Sequence, residues 1–226
     1  TTLVVREPLG IVAAVVPWNY PMSMAAWKLG PALATGNSVI LKPAEQSPFT
    51  ALKFGELAIE AGIPPGVLNV VPGLGHIAGK ALGLHMDVDC VGFTGSTEVG
   101  KYFMQYSGQS NIKRIGLELG GKSPQVVLAD CEDLDAAAAG IAAGIFGNSG
   151  QVCNAGSRLI VDEKVRDLLL EKIVAQARVF VPGDPLDAKT RMGSLVTEDQ
   201  MDRVLGYIDA GRAEGVGTGD IGPDRI

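Results

Sequence analysis

Several features that would point to other classes of protein are missing from this 226-residue sequence. The formal net charge is -6 and no basic block offsets it, which argues against a nucleic-acid-binding surface. No apolar run approaches the roughly 20 residues that span a bilayer, so no membrane partner is expected. The nearest candidate, residues 136–146, is short and rich in alanine and glycine, as in a buried helix. Internal repeats and low-complexity linkers are absent from the sequence as well.

Cysteine is also scarce. Cys90, Cys131 and Cys153 lie far apart and form no CxxC pair, so the sequence predicts neither a disulfide framework nor a metal site. The simpler interpretation is a reducing, cytoplasmic location in which at least one thiol is free to react. No signal peptide opens the chain. Because it starts at Thr1 on a strand-like run without an initiator Met, we expect the true N-terminus to lie elsewhere.

What the sequence does contain is an alternation of short apolar runs with helical patterns. Hydrophobic residues make up 46% and charged residues 19% of the chain, which favours a packed core over disorder. In residues 1–120 the pattern predicts strands at 11–16, 38–41, 67–71, 90–93 and 113–117, and helices at 21–34, 48–61, 76–84 and 98–107. Such alternation predicts an open, Rossmann-like α/β domain with a mostly parallel sheet.

Capping signals mark one of these helices in particular. Ser47 and Pro48 are typical of an N-cap and a first helical position, and Gly62 is typical of a C-cap. After residue 120 the character changes, with strands predicted at 125–128 and 158–161 and helices at 134–146 and 163–179. We therefore expect the first part of a second α/β domain over residues 121–226.

Two segments could bind a nucleotide. The turn from Phe93 through Thr94, Gly95 and Ser96 to Gly100 joins a strand to a helix and could hold a phosphate, although it is not the GxGxxG pattern. An ordinary strand–turn–helix is the alternative. Lys42 and Glu45 follow a buried strand and could hold an adenosine ribose, where a carboxylate would favour NAD over NADP. A solvated Lys–Glu pair is the alternative there.

Three further residues could take part in a reaction. Cys153, in a loop of small and polar residues, is either an accessible nucleophile or a small buried hydrophobe. Glu118 precedes a double glycine and is either a partly buried general base or a surface glutamate. Asn19 ends a buried strand, where its amide could donate to an oxyanion, although asparagines also simply form turns.

Together, these segments carry a family resemblance. The motifs occur in the order PWNYP at 17–21, WKLGPALATGN at 27–37, KPAE at 42–45, FTGS at 93–96, LELGGKSP at 117–124 and GQVC at 150–153. The chain strongly resembles the aldehyde dehydrogenase superfamily, up to about residue 211, and looks nearest to the aminoaldehyde and betaine-aldehyde dehydrogenases. The resemblance implies the aldehyde dehydrogenase fold, in which residues 1–120 are an NAD-binding domain and residues 121–226 begin the catalytic domain.

The resemblance also implies roles for individual residues. Cys153 matches the catalytic cysteine, Glu118 the general base and Asn19 the oxyanion stabiliser. Lys28 matches a lysine for which either a proton relay or a structural role is expected. The cofactor-binding positions that it implies are Trp18, Lys42, Glu45, Gly75, Phe93, Thr94, Gly95, Ser96, Gly100 and Leu119, and the substrate-tunnel positions are Tyr20, Met24 and Trp27.

The function implied is oxidation of a small-molecule aldehyde to a carboxylic acid with NAD as cofactor. The cysteine would form a thiohemiacetal and then a thioester, which Glu118 would hydrolyse through a water molecule. Aromatic side chains in the tunnel could hold the cationic tail of an aminoaldehyde, and would serve neutral aldehydes too. Full-length members of this family form homo-dimers or tetramers.

The sequence departs from the family in its extent. Members are usually about twice as long, and the Glu-Ile-Phe-Gly-Pro motif, whose glutamate binds the nicotinamide ribose, is expected beyond this segment. The tail at 215–226 does not resemble the family's continuation. Two alternatives therefore stand beside the enzyme: a truncated, catalytically incompetent fragment that keeps only the nucleotide-binding fold, and a thiol enzyme such as an acyltransferase that binds no nucleotide.

Overall fold

The computed structural model describes residues 1–215 of the chain. By their contacts these residues divide into two units. The first unit contains residues 1–125 and 152–159, and the second contains residues 126–151 and those from 160 onward. The sequence pattern predicted Cys153 to lie in the second domain, whereas residues 152–159, which include Cys153, belong to the first unit. The divergent tail lies, from residue 216 on, outside the described residues.

A five-stranded sheet forms the centre of the first unit. Its strands are β1 (Ile11–Val15), β2 (Ser38–Lys42), β3 (Leu68–Val70), β4 (Cys90–Gly95) and β5 (Arg114–Leu119). They lie in the order β3-β2-β1-β4-β5, and every neighbouring pair is parallel. The predicted Rossmann-like open sheet is therefore confirmed, and the chain switches direction across the sheet between β1 and β4.

Helices cover both faces of this sheet. They are α1 (Pro21–Ala34), α2 (Phe49–Glu60), α3 (Lys80–Leu84) and α4 (Thr97–Gly108). Alternate residues of β1 face opposite sides, so Val12 and Ala14 pack with residues of α1 and α2, while Ala13 and Val15 pack with α3 and α4. Burial on both faces explains why β1 appears in the sequence as a continuous apolar run rather than an alternating one.

The remaining elements follow β5 along the chain. Strands β6 (Pro124–Val127) and β7 (Arg158–Val161) form a two-stranded sheet. The helices are α5 (Leu134–Phe146), α6 (Glu163–Ala177) and α7 (Glu198–Ala213). Each begins at a side-chain cap: Asp133 accepts from the amides of residues 135 and 136, Asp162 from residue 164 and Thr197 from residue 200.

Three local predictions need correction. Helix α2 begins at Phe49 with Pro48 as its N-cap residue, and no side chain caps it, because the Ser47 hydroxyl donates to the Trp18 carbonyl at 3.2 Å instead. The helix predicted from residue 76 is a π-helical turn, Gly75–Gly79, that leads into α3. The strand predicted at 113–117 extends through Leu119, which places Glu118 inside β5.

Candidate active site

Several of the candidate site residues predicted from the sequence lie at the carboxyl edge of the central sheet. Asn19 follows β1, Lys42 is the last residue of β2, Gly95 ends β4, and Glu118 is the penultimate residue of β5. Because the strands are parallel, these ends lie at one edge. Ligands of open α/β sheets bind at this edge, beside the point where the strand order reverses.

Lys42 and Glu45 form an ion pair there. The Lys42 side chain is 3% exposed, and its Nζ lies 3.4 Å from Oε2 of Glu45. The other carboxylate oxygen of Glu45 accepts a 2.6 Å hydrogen bond from the Gly75 amide. Burial raises the pKa of Glu45, but backbone hydrogen bonds and the Lys42 ammonium outweigh it, so the pKa lies below its ordinary value. The pair is therefore a fixed, partly enclosed group rather than a solvated one.

The glycine turn after β4 lies beside this pair. The Ser96 hydroxyl caps α4 by accepting from the Val99 amide at 3.3 Å. A Cβ on Gly95 would come within 2.5 Å of the Phe93 ring, and one on Gly100 within 2.8 Å of the Leu119 side chain. An alanine at residue 95 would therefore displace the Phe93 ring, whereas one at residue 100 would shift only the end of the Leu119 side chain. The backbone N–H groups and the positive helix end at the N-terminal turn of α4 could bind an anion.

Between these two features lies a cleft of about 280 Å³. It is lined by Val15, Val16, Pro17, Trp18, Lys42, Ala44, Glu45, Gln46, Gly75, Gly79, Phe93, Thr94, Gly95, Ser96, Val99 and Phe103. Eight of the cofactor positions implied by the sequence belong to this lining. The remaining two, Gly100 and Leu119, do not line it, and Leu119 instead packs against Gly100.

Several lining residues were missed by the sequence analysis. Val99 and Phe103 lie four residues apart on α4, so helical spacing counted from the Gly95 turn would have found them. Phe103 is fully buried and its ring centroid lies 4.9 Å from that of Phe93. The cleft holds groups suited to part of a nucleotide: a carboxylate and an ammonium can bind hydroxyl groups, a helix N-terminus can bind a phosphate, and apolar side chains can contact a flat base.

Cys153 lies in a short turn within the first unit. The Ala155 amide donates to the Val152 carbonyl at 3.1 Å, and Cys153 itself is exposed. The turn lies against the end of β5, because a Cβ on Gly121 would be 3.5 Å from the Cys153 carbonyl oxygen. On its downstream side, the Gln125 side-chain amide donates to the Gly156 carbonyl at 2.8 Å. The structure thus brings the candidate nucleophile to the turn that follows Glu118.

Glu118 is exposed on β5, an edge strand of the central sheet. It pairs in register with Thr94 of β4, whose hydroxyl accepts a 2.7 Å hydrogen bond from Lys28 Nζ. Burial lowers the pKa of Lys28, and the nearby Glu118 carboxylate partly opposes this shift. Glu118 and Lys28 therefore share one electrostatic environment at the edge where Asn19 also lies.

Asn19 is half-buried in the bend between β1 and α1, and its Oδ1 accepts from the Tyr20 amide at 3.1 Å. The three residues predicted to line the substrate tunnel differ in solvent exposure. Tyr20 and Trp27 are exposed, and Trp27 is 70% accessible, whereas Met24 is buried among the residues beneath α1. The two aromatic side chains are therefore available to a ligand at the surface of α1, and Met24 contributes to the core.

Among residues 1–215, every helix is too short or too polar to span a bilayer. Within the same residues, no cluster of three or more His, Cys, Asp or Glu side chains could hold a metal ion. All three cysteines have free thiols, and Cys90 and Cys131 are half-buried. The exposed Cys153 is thus the most accessible of the three thiols.

Comparisons with known proteins agree with one another. Residues 1–220 match the family model described as the aldehyde dehydrogenase family. The NADP/NAD-dependent aldehyde dehydrogenase PuuC of Escherichia coli (strain K12) is 53% identical over 213 residues, which are 94% of this chain and 43% of that protein. Aminoacetaldehyde dehydrogenase of Pseudomonas aeruginosa is 53% identical over 212 residues, again 94% of this chain and 43% of the relative.

Solved structures extend this similarity to the fold. An indole-3-acetaldehyde dehydrogenase crystallised with NAD⁺ superimposes with a TM-score of 0.91 at 58% sequence identity, covering 92% of this chain and 42% of that one. The chain therefore spans less than half the length of these relatives.

Proposed function

The chain belongs to the aldehyde dehydrogenase family, and on that premise we propose that it oxidises an aldehyde to a carboxylic acid with NAD. The observation that carries this proposal is the position of Cys153, whose turn lies against Gly121, just after Glu118, in the same unit as the cleft beside Lys42 and Glu45. A nucleophile, a carboxylate and a cofactor cleft are the three parts that this reaction requires.

In the proposed reaction the Cys153 thiolate attacks the aldehyde carbon and forms a thiohemiacetal. The oxygen that gains charge is stabilised by the Asn19 amide and the backbone N–H of Cys153. NAD bound in the cleft would supply the hydride acceptor for the oxidation. Glu118 then takes a proton from the water molecule that attacks the resulting thioester, which releases the carboxylic acid and frees Cys153.

We also propose that the cofactor is NAD in preference to NADP. Glu45 holds its carboxylate beside Lys42 and the Gly75 amide, and its lowered pKa keeps it ionised at neutral pH. A negative charge at that point repels a phosphate on the ribose. Glu45→Gln should therefore raise the affinity for NADP relative to NAD. An unchanged ratio of the two dissociation constants, measured by titration, would contradict the preference.

The proposed substrate class is an aminoaldehyde. Trp27 and Tyr20 present exposed aromatic surfaces, and a relative that is 53% identical is named for aminoacetaldehyde. A cation–π contact contributes about 0.5–2 kcal/mol, so Trp27→Leu should lower kcat/KM for an aminoaldehyde up to about thirtyfold. In the same variant, kcat/KM for a neutral aldehyde of the same length should fall much less. Tyr207→Leu, at an exposed aromatic residue of α7, is the matched control. Equal losses for both substrates would favour a neutral aldehyde.

The test of the reaction itself is NADH formation on adding aldehyde to NAD-saturated protein. Cys153→Ala should abolish it together with ester hydrolysis, which needs the thiol but no hydride transfer. Cys131→Ala, which removes a half-buried thiol, should retain both activities. NADH formation that persists in Cys153→Ala would refute the nucleophile assignment.

A second candidate is a catalytically incompetent fragment that retains the nucleotide-binding fold. The observation in its favour is that the chain spans 43% of the relative PuuC. It predicts NAD binding without NADH formation, whereas a thiol enzyme without a nucleotide predicts no NAD binding at all. A titration with NAD followed by the NADH assay separates the three outcomes.

A further inference from the structure

Three consecutive residues just before Cys153 adopt a left-handed backbone. Asn148, Ser149 and Gly150 have φ angles of 49°, 56° and 72°. Glycine adopts this conformation freely and asparagine tolerates it, but serine pays a steric cost. Such residues persist only where the surrounding structure holds them, and they are concentrated at functional sites. The turn therefore calls for an explanation beyond the connection of α5 to β7.

Two side chains of this segment bond to residues 193–196, which precede α7. The Ser149 hydroxyl donates to the Gly193 carbonyl at 2.7 Å, and Gln151 Oε1 accepts from the Val196 amide at 3.0 Å. We call these two bonds the latch. Gln151 also donates through Nε2 to the Asn148 carbonyl at 3.2 Å, so one side chain closes the left-handed turn and ties it to residue 196. All of these residues belong to the second unit.

The latch fixes the backbone that leads into Cys153. Cys153 follows Gln151 by two residues, and two residues span at most about 7 Å. Downstream, Gln125 holds the Gly156 carbonyl at 2.8 Å. The loop of the nucleophile is thus anchored before and after the thiol. A reacting group that is displaced by about 1 Å can lose about 10²-fold in rate, so these anchors bear directly on catalysis.

We propose that Ser149 and Gln151 are positioning residues that hold Cys153 in place by keeping the left-handed turn closed. This inference rests on the proposed function for its catalytic consequence. Gln151 has the larger part, because its side chain makes both the bond to Val196 and the bond that closes the turn. Neither residue touches the reacting atoms in this proposal. They act only through the backbone that leads to the thiol.

The kinetic test compares Gln151→Ala with Gln151→Glu in the full chain. Glutamate keeps the acceptor for the Val196 amide but loses the donor to the Asn148 carbonyl, so its activity should lie between those of the wild type and Gln151→Ala. Gln151→Ala should lower kcat at least tenfold while the NAD dissociation constant stays within twofold. Alkylation of Cys153 by iodoacetamide, followed by peptide mass analysis with Cys131 as internal reference, should not slow. Gln105→Ala, an exposed glutamine on α4, is the matched control.

Three results would contradict a positioning role for Gln151. The proposal is overturned if kcat of Gln151→Ala stays within twofold of the wild type. It is also overturned if NAD affinity falls in parallel with kcat while alkylation of the half-buried Cys131 speeds up, because that pattern marks general unfolding. If Gln151→Glu lost as much activity as Gln151→Ala, the hydrogen bond from the Val196 amide to Gln151 would make no contribution to positioning Cys153, which contradicts the role given to the latch.

A second measurement does not depend on turnover. If the wild-type chain forms no NADH, the proposed function fails, and the latch is then judged by amide hydrogen exchange of residues 147–156. Exchange there should be at least tenfold faster in Ser149→Ala and Gln151→Ala than in the wild type or Gln105→Ala. Equal protection in all four proteins would refute the latch.

Discussion

At the scale of single residues, glycine shapes the cleft beside Lys42 and Glu45. A Cβ on Gly95 would lie 2.5 Å from the Phe93 ring, so Gly95→Ala must displace that ring. Overpacking of this kind costs about 1–3 kcal/mol, and here it should also weaken NAD binding. Urea unfolding and a titration with NAD measure the two effects. Gly108→Ala has no atom within 4 Å of the new Cβ and should retain stability and binding. Equal behaviour of the two variants would contradict this account of the cleft.

The Glu45 carboxylate should make the stability of the protein depend on pH. Burial raises the pKa of Glu45. Hydrogen bonds from the Glu45 and Gly75 backbone and the charge of Lys42 lower the pKa by more than burial raises it, so its net shift is downward. A carboxyl whose folded pKa lies below its unfolded value, about 4.3 for glutamate, stabilises the protein above that value. The stabilisation is lost as the pH falls through the folded pKa.

The difference in unfolding free energy between the wild type and Glu45→Gln should therefore shrink as the pH falls below about 4. Urea unfolding across a pH series measures it. Glu56→Gln removes an exposed partner of Lys53 and should show little effect at any pH, since surface pairs contribute little. A difference for Glu45→Gln that stays constant into acid would contradict the assigned role of the carboxylate.

At the scale of elements, the connection from α4 to β5 contains a residue in an unfavourable conformation. Ile112 has a φ of 58° although it is β-branched, and it is 81% exposed. Its neighbours hold it there: Asn111 donates to the Met86 and Val88 carbonyls, and Lys113 donates to the Gly83 carbonyl. The packing of two loops therefore overrides the preference of one side chain.

Replacing this isoleucine should stabilise the protein. Ile112→Asn keeps the turn with a residue that tolerates the left-handed region, and should add about 1 kcal/mol because no buried contact is lost. A thermal unfolding curve measures the gain. Ile77→Asn changes an exposed isoleucine whose φ is not left-handed, so it should add nothing. A loss of stability in Ile112→Asn would show that the exposed isoleucine makes a contribution of its own.

At the scale of the whole molecule, the division into units predicts where a cofactor stabilises the chain. The cleft is built from residues of the first unit, which includes residues 152–159 as well as 1–125. NAD at about 100 times its dissociation constant should stabilise this unit by about 2.7 kcal/mol. Amide exchange should then slow in β1, β2, β4 and the Cys153 turn.

The helices of the second unit provide the internal control for this measurement. Amides of α6 and α7 should exchange at the same rate with and without NAD, because the cleft in which NAD is proposed to bind is lined by residues of the first unit. Protection confined to α6 and α7 would place the cofactor elsewhere. Uniform protection of the whole chain would indicate that the two units unfold together.

The sequence by itself determined the order of elements, the parallel sheet and the candidate residues at strand ends. These follow from signals that act within a few residues, such as apolar runs, glycine turns and proline positions. Even there, a distant partner could override the local signal. Ser47 was predicted to cap α2, yet its hydroxyl bonds to the carbonyl of Trp18, 29 positions away.

Only the tertiary structure decided which of those residues meet. It placed Lys28 against Thr94, 66 positions apart, and the Cys153 turn against Gly121. It also buried Met24 while exposing Trp27 on the same helix, and it tied Ser149 to Gly193 across 44 positions. Periodicity cannot specify such contacts, because they depend on strand register and side-chain packing, which arise only when distant segments fold together.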